Sequence, residues 1–150
     1  MDINSLLKFE IQRFILEKEN TSSSELALKK NPFPEIDYKI LLNQIEARAK
    51  SKTKLPTWFS TKNIIYPEKV SIEQTSSELT ALYKSELIFG DSIIDLSGGF
   101  GVDDFYFSKT IKNVVHCEIN SDLSSIVEHN FKLLNVENVS CYNGDSKSIL

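Results

Sequence analysis

The sequence predicts an α/β fold in which a helical N-terminal subdomain precedes about three parallel strands. Two observations carry this prediction. Up to about residue 49, apolar residues recur at helical spacing, whereas after residue 90 short apolar runs alternate with helical patterns. A glycine-rich turn, Gly98-Gly99-Phe100-Gly101, joins the first of those runs to the next helical segment. Strands that alternate with helices are typical of βαβ units and of a parallel sheet.

Size and composition limit the class of protein. The chain has 150 residues, of which 41% are apolar and 25% charged, so one domain or slightly more is expected. No apolar run is long enough to span a membrane, and the first residues lack the pattern of a signal peptide. Cys117 and Cys141 lie in apolar, strand-like runs, which favours buried thiols over a disulfide or a metal site. A cytoplasmic protein without membrane or metal partners is therefore expected.

The charge is distributed unevenly along the chain. Residues 1–70 carry 12 Lys and Arg against 9 Asp and Glu, whereas residues 71–150 carry 5 against 12. Such an asymmetry indicates that the two parts do different work. We therefore predict a helical subdomain with a basic connector over residues 1–64 and a partial nucleotide-type domain over residues 65–150.

Local signals place the N-terminal elements. The periodicity predicts a helix over 5–18, and Ser22 with Glu25 fits a capping box that starts a second, short helix. Pro32 and Pro34 stop that helix, and a third helix is predicted from Glu35 to about residue 49. Residues 50–67 show little periodicity and are predicted to be a connector.

The C-terminal part is more regular. The alternation of apolar runs with helical patterns predicts three helices and three strands. The helices are predicted over 76–87, 102–111 and 122–134, and the strands over 92–96, 113–119 and 138–143.

The spacing of the turn discriminates between ligand classes. A dinucleotide fingerprint requires a third glycine where this chain has Asp104, and no P-loop lysine follows the turn. Asp103 and Asp104 at the start of the next helix would also repel a diphosphate, although either could simply complement the helix dipole. Taken alone, the glycines could form any tight connection between a strand and a helix.

Three acids follow three successive predicted strands. Asp95 ends the first strand, Glu118 ends the second, and Asp145 comes directly after the third. Asp95 can interact with an ammonium or a positive sulfur, Glu118 can accept the hydroxyls of a ribose, and Asp145 can accept an adenine amino group. The sequence therefore indicates a cationic, adenosine-like ligand rather than a polyanion.

The chain resembles class I S-adenosylmethionine-dependent methyltransferases in their cofactor motifs. The residues that carry this resemblance are the segment Asp95-Leu96-Ser97-Gly98-Gly99-Phe100-Gly101, Glu118 and Asp145. Within that class, the motif resembles the group of trimethylguanosine synthase-like and THUMP-like-domain-associated RNA methyltransferases. Ser97 stands where the commonest motif has its first glycine. The resemblance implies a Rossmann-like sheet, S-adenosylmethionine as cofactor, and RNA (tRNA or rRNA) as a partner. The cofactor-binding residues that it implies are Asp95, Ser97, Gly98, Gly99, Gly101, Asp103, Glu118 and Asp145, with Gln74 and Ser76 covering the methionine end.

Two of these assignments have an alternative. Thr75 or Ser76 could instead cap the following helix. A cluster of cations followed by an aromatic residue predicts an RNA-binding surface, but it could also be a solvated helix end with the indole packed between subdomains. The candidate RNA contacts are Arg48, Lys50, Lys52, Lys54 and Trp58.

No catalytic residue can be assigned, and His116 and His129 are predicted to be structural. A complete methyltransferase of this class has seven strands, so we expect these residues to be the N-terminal part of a longer protein. Alone, they are expected to bind the cofactor weakly at most and not to methylate. The open sheet edge is expected to pair with the remainder of the polypeptide or to self-associate. The alternative functions are a non-catalytic RNA-binding module and a methyltransferase for a protein or a small molecule.

Overall fold

The computed structural model describes residues 1–149. They divide into two compact units, of which the first is Met1–Glu73 and the second begins at Gln74. The first unit is helical. Its elements are α1 (Ile3–Leu6), α2 (Phe9–Glu17), α3 (Ser23–Ala27), α4 (Tyr38–Lys54) and α5 (Pro56–Ser60), and α6 (Lys69–Gln74) runs to the boundary. Ser22 caps α3 as predicted, with its hydroxyl accepting a hydrogen bond from the Glu25 amide at 3.2 Å.

The predicted connector over residues 50–67 is wrong in its first part, where α4 continues to Lys54 and α5 follows. The missed turns of α4 carry few apolar residues, but Ser51 is buried and its hydroxyl donates to the Ala47 carbonyl at 2.9 Å. The helix ends where it does because Pro56 disfavours helical geometry at Leu55, whose φ is −135°.

The structure divides the chain after Glu73 rather than at the predicted boundary after residue 64. The intervening segment belongs to the first unit because Ile64, Ile65 and Tyr66 are buried in it. The side chain of Gln44 also bonds the Tyr66 backbone twice, donating to the carbonyl at 2.6 Å and accepting from the amide at 2.9 Å. A buried extended segment satisfied by a side chain leaves no periodic signal in the sequence.

The second unit contains the sheet. Its elements are α7 (Glu78–Leu87), β1 (Ser92–Asp95), α8 (Val102–Phe107), β2 (Asn113–Glu118), α9 (Ser121–Leu133), β3 (Val139–Asn143) and a short 3₁₀ helix (Ser146–Ser148). The three strands are parallel in the order β1-β2-β3, with Asp95 opposite His116 and Glu118 opposite Asn143. This arrangement confirms the predicted fold class.

Strand alternation determines which side chains enter the core. Ile93, Val114 and Val139 share one face of the sheet and pack with Phe107 and Ile111 from the α8 region. Because the strands are parallel, their carboxyl ends lie at a single edge, which brings the predicted site residues together. None of the helices among residues 1–149 is long and apolar enough to cross a membrane.

Candidate methyl-donor site

The glycine turn lies between β1 and α8 and is bonded to β2. The Gly98 amide donates to the Cys117 carbonyl at 2.9 Å, and the Gly101 amide closes the turn onto the Gly98 carbonyl at 2.9 Å. Gly99 and Gly101 have φ values of +55° and +75°, which residues with a side chain rarely adopt. A Cβ at Gly99 would meet no atom nearer than the Ser97 carbonyl oxygen at 3.9 Å, so a ligand can approach the backbone there.

A buried Asp–His pair lies beneath the turn. His116 Nδ1 and Asp104 Oδ2 are 2.6 Å apart, and both side chains are 0% exposed. A Cβ on Gly98 would collide with the His116 imidazole, so glycine is required there for space. Burial raises the pKa of Asp104 to about 6, against the opposing effect of the hydrogen bond with His116.

This pair adds to what the sequence predicted for Asp104. The side chain lies in the first turn of α8, where it can complement the helix dipole, and it is also enclosed and bonded to β2. Asp103 is paired with Lys84 at 2.8 Å, and the ammonium offsets its charge. The electrostatic repulsion of a diphosphate is therefore weaker than two unpaired aspartates would produce. The missing third glycine remains as the argument against a dinucleotide.

Asp103 belongs to a polar cluster between α7 and α8. Lys84 Nζ donates to Asp103 Oδ2 at 2.8 Å and to the Ser76 hydroxyl at 2.9 Å, and Ser76 donates to Asp103 Oδ2 at 3.1 Å. Ser76 does not cap α7, because Ser77 does so by accepting from the Thr80 amide at 3.1 Å. An ammonium beside a carboxylate is complementary to the zwitterionic end of an amino acid.

The acids after the three strands use part of their bonding capacity to shape their own loops. Asp95 Oδ1 accepts from the Ser97 amide at 2.9 Å, and Glu118 Oε1 accepts from the Asn120 amide at 2.8 Å. Asp145 caps the 3₁₀ helix by accepting from the Lys147 amide at 3.0 Å. Gln74 ends α6 with an exposed side chain. The turn and the three acids thus lie along one edge of the sheet, where carboxylates can accept from hydroxyl and amino groups.

The basic segment of the first unit is largely engaged within that unit. Arg48 is 12% exposed, bonds Glu19 at 3.1 Å and the Phe59 carbonyl at 3.0 Å, and lies over the Phe59 ring. Lys50 is ion-paired with Glu73. Lys54 Nζ donates to the two carbonyls that end α6, those of Ile72 and Glu73, each at 2.8 Å.

Trp58 is 0% exposed, so the expectation that it offers a ring to a nucleobase is wrong. Its indole fills the core of the first unit, because α5 turns it inward beside Leu55. Lys52 is the exposed candidate cation for which the described part of the chain, residues 1–149, offers only a distant ring contact, 6.0 Å from the centre of Phe59.

The sequence did not predict the contact of Lys84 with Asp103 or the pairing of Asp104 with His116, although the full burial of His116 agrees with the structural role predicted for it. A usable signal was present for His116: two residues after Val114, it shares that residue's core-facing side of β2, where a histidine needs a buried partner. Lys84 gave no comparable signal, because its contact with Asp103 depends on how α7 packs against α8.

A solved structure that is similar to this chain matches it over nearly its whole length. It is a crystal structure of a "putative methyltransferase" from Porphyromonas gingivalis W83, with a TM-score of 0.81 and 28% sequence identity. The match covers 99% of this chain and 37% of that chain, so this chain spans well under half of that protein's length. No protein-family model and no curated protein matched. The likeness agrees with the α/β, methyltransferase-like fold described above.

Proposed function

We propose that the second unit is the methyl-donor-binding part of an S-adenosylmethionine-dependent methyltransferase whose acceptor is a nucleobase of RNA. One observation carries the proposal: an open glycine turn and the carboxylates of Glu118 and Asp145 converge at the carboxyl edge of a parallel sheet. The likeness to a structure described as a putative methyltransferase supports the same class of activity.

The residues present fit this cofactor. The open backbone at Gly99 allows close approach of the methionine portion, while Lys84 and Asp103 offer charges complementary to an α-carboxylate and an α-ammonium. Glu118 would hold the ribose hydroxyls and Asp145 the adenine amino group. The cofactor, when bound, supplies an electrophilic methyl group on a positive sulfur. The contribution of this chain is to orient that group and to exclude water from it.

Calorimetry of the full-length protein tests the cofactor assignment. We expect binding of S-adenosylmethionine and none of NAD. Glu118→Ala should weaken binding about tenfold or more, because hydrogen bonds to a charged acceptor contribute about 1.5–3 kcal/mol. Glu128→Ala, an exposed glutamate on α9, is the matched control and should bind normally. Binding of NAD would contradict the assignment, as would an affinity for S-adenosylmethionine that is the same in Glu118→Ala and in the wild-type protein.

The choice of RNA as acceptor is supported by the surplus of cations in the first part of the chain and by the exposure of Lys52. A second candidate, a protein or small-molecule acceptor, is favoured by the internal use of Arg48 and Lys54.

Methyl transfer from labelled S-adenosylmethionine to bulk tRNA and rRNA, compared with a protein extract and small metabolites, discriminates between these acceptors. Labelled RNA would support the proposal, and label only in protein or metabolites would replace it with the second candidate. RNA binding without any binding of S-adenosylmethionine would favour a non-catalytic RNA-binding module.

A further inference from the structure

We infer that Asp104 and His116 are positioning residues for the glycine turn, and that the protonation state of this pair controls how well the turn holds its ligand. The identity of the ligand rests on the proposed function. The coupling between the pair and the turn does not, because it follows from contacts within the second unit.

The geometry joins three elements through one hydrogen bond. Asp104 is in the first turn of α8, directly after the glycine turn, and His116 is in β2. The 2.6 Å contact between them holds the imidazole against Gly98, which leaves no room for even a methyl group. The same imidazole makes a T-shaped contact with Phe131 of α9, with ring centres 6.1 Å apart. The turn therefore cannot shift at Gly98 without displacing the His116 ring.

The remaining polar atoms of the pair make it sensitive to a proton. Asp104 Oδ1 and His116 Nε2 are buried, and neither has a hydrogen-bond partner among the residues that the structure describes. No second protein group is therefore available there to compensate a change in charge or tautomer. Burial places the pKa of Asp104 at about 6, so the pair exchanges a proton at mildly acidic pH.

The surrounding groups determine the direction of the effect. Asp95 from β1 and Asp103 from α8, with its partner Lys84 from α7, surround the pair, and Asp104 itself acts on Cys117 from β2 and on Cys141 from β3. On the side of α9, the charged groups Glu128 and Lys132 act on Cys141. Asp95 and Asp103 both disfavour the ionised form of Asp104.

Protonation has two consequences for the turn. With Asp104 ionised, its carboxylate accepts from His116 Nδ1–H and adds a negative charge that favours a cationic ligand. With Asp104 protonated, that charge is lost and the hydrogen bond beneath Gly98 is rearranged. Ligand binding should therefore be tighter above about pH 6 than below it, given the raised pKa of Asp104.

A measurement without ligand tests the coupling directly. In the full-length protein, the amide chemical shifts of Gly98, Gly99 and Gly101 should titrate with a midpoint near the Asp104 pKa of about 6. Asp104→Asn keeps the shape and a hydrogen-bonding group but does not ionise, so it should abolish the titration. Asp122→Asn makes the same change in the first turn of α9, where the side chain is exposed, and should leave the titration intact.

Glycine shifts that stay flat through this range in the wild-type protein would overturn the inference, as would an unchanged titration in Asp104→Asn. If Asp104→Asn does not fold, the ring nitrogen shifts of His116 in the wild-type protein decide the matter. They must change with the same midpoint as the glycine amides, and a different midpoint would overturn the coupling.

A binding measurement separates this inference from the proposed function. The affinity of the wild-type protein for S-adenosylmethionine should be at least about threefold lower at pH 5 than at pH 7.5, and that of Asp104→Asn should be equal at both. Wild-type affinity that does not depend on pH would overturn the inference. Titrating glycine amides without S-adenosylmethionine binding at either pH would support the positioning role and reject the proposed cofactor.

Discussion

The two units treat their charged residues in opposite ways. In the first unit, three of the four candidate cations bond groups of the same unit, with Arg48 on Glu19 and Phe59, Lys50 on Glu73 and Lys54 on the last turn of α6. In the second unit, the acids Glu118 and Asp145 stand at the carboxyl ends of parallel strands, where the topology itself brings them to one edge. A residue at the end of a parallel strand has a known position, because the topology determines which edge of the sheet it occupies. A run of like charges along a helix does not determine a common binding surface, because each charge can form an ion pair with a different neighbour.

The largest effect is expected for Trp58→Ala in the first unit, where the residue that follows the basic segment is buried rather than available to a ligand. Because the indole is fully buried, we expect a loss of about 3–5 kcal/mol in the free energy of unfolding, measured by circular dichroism in denaturant. Phe9→Ala, which removes an aromatic ring that is 76% exposed, should change it by less than about 0.5 kcal/mol. Equal effects of the two substitutions would show that Trp58 is not a core residue.

A second test acts on the other unit. Gly98→Ala should destabilise the second unit by about 3 kcal/mol, because the added methyl group collides with His116, and Gly98→Ala/His116→Ala should recover part of that loss. Trp58 is the only tryptophan, so its fluorescence follows the first unit while circular dichroism follows both. We expect the fluorescence transition to stay in place, and its displacement together with the dichroism signal would show that the units unfold as one.

A third test uses the raised pKa of Asp104, about 6 against an ordinary value of 3.8. The folded state holds the proton more tightly than the unfolded state, so this group's contribution to stability is present at low pH and is lost as pH rises from about 4 to 6. The difference in unfolding free energy between the wild-type protein and Asp104→Asn should change in that direction by up to about 3 kcal/mol. Parallel stability curves would mean that Asp104 does not titrate in this range.

The smallest expected effect concerns Lys52. Lys52→Glu should weaken binding of bulk tRNA slightly and lower its salt dependence by about one phosphate contact, measured by filter binding at several salt concentrations. Lys39→Glu, an exposed lysine in the first turn of the same helix, is the control for a general charge effect. If the two variants behave alike, the basic segment has no specific role in binding RNA.

The sequence was a better guide to the sheet than to the helical unit. The short apolar runs, and the glycine and polar residues that separate them, predicted the bounds of β1, β2 and β3 almost to the residue. This is because a buried parallel strand needs a continuous apolar run that ends at turn-forming residues. The end of α4 was missed because its last turns are stabilised by the burial of Ser51 and by the bonds of Lys54 to carbonyls of α6, which only folding creates. The role of Asp104 was missed for the same reason, since its partner lies on the following strand.

The side chain of Gln44 affects amide hydrogen exchange in the first unit. The Tyr66 amide lies outside every helix and strand, yet it is buried and bonded to the side chain of Gln44. Gln44 presents both a donor and an acceptor to the backbone, as a neighbouring peptide group would. The Tyr66 amide should therefore exchange with solvent as slowly as the amides in the middle of α4, and Gln44→Ala should release it selectively. A single side chain thereby gives a loop residue the protection of regular secondary structure.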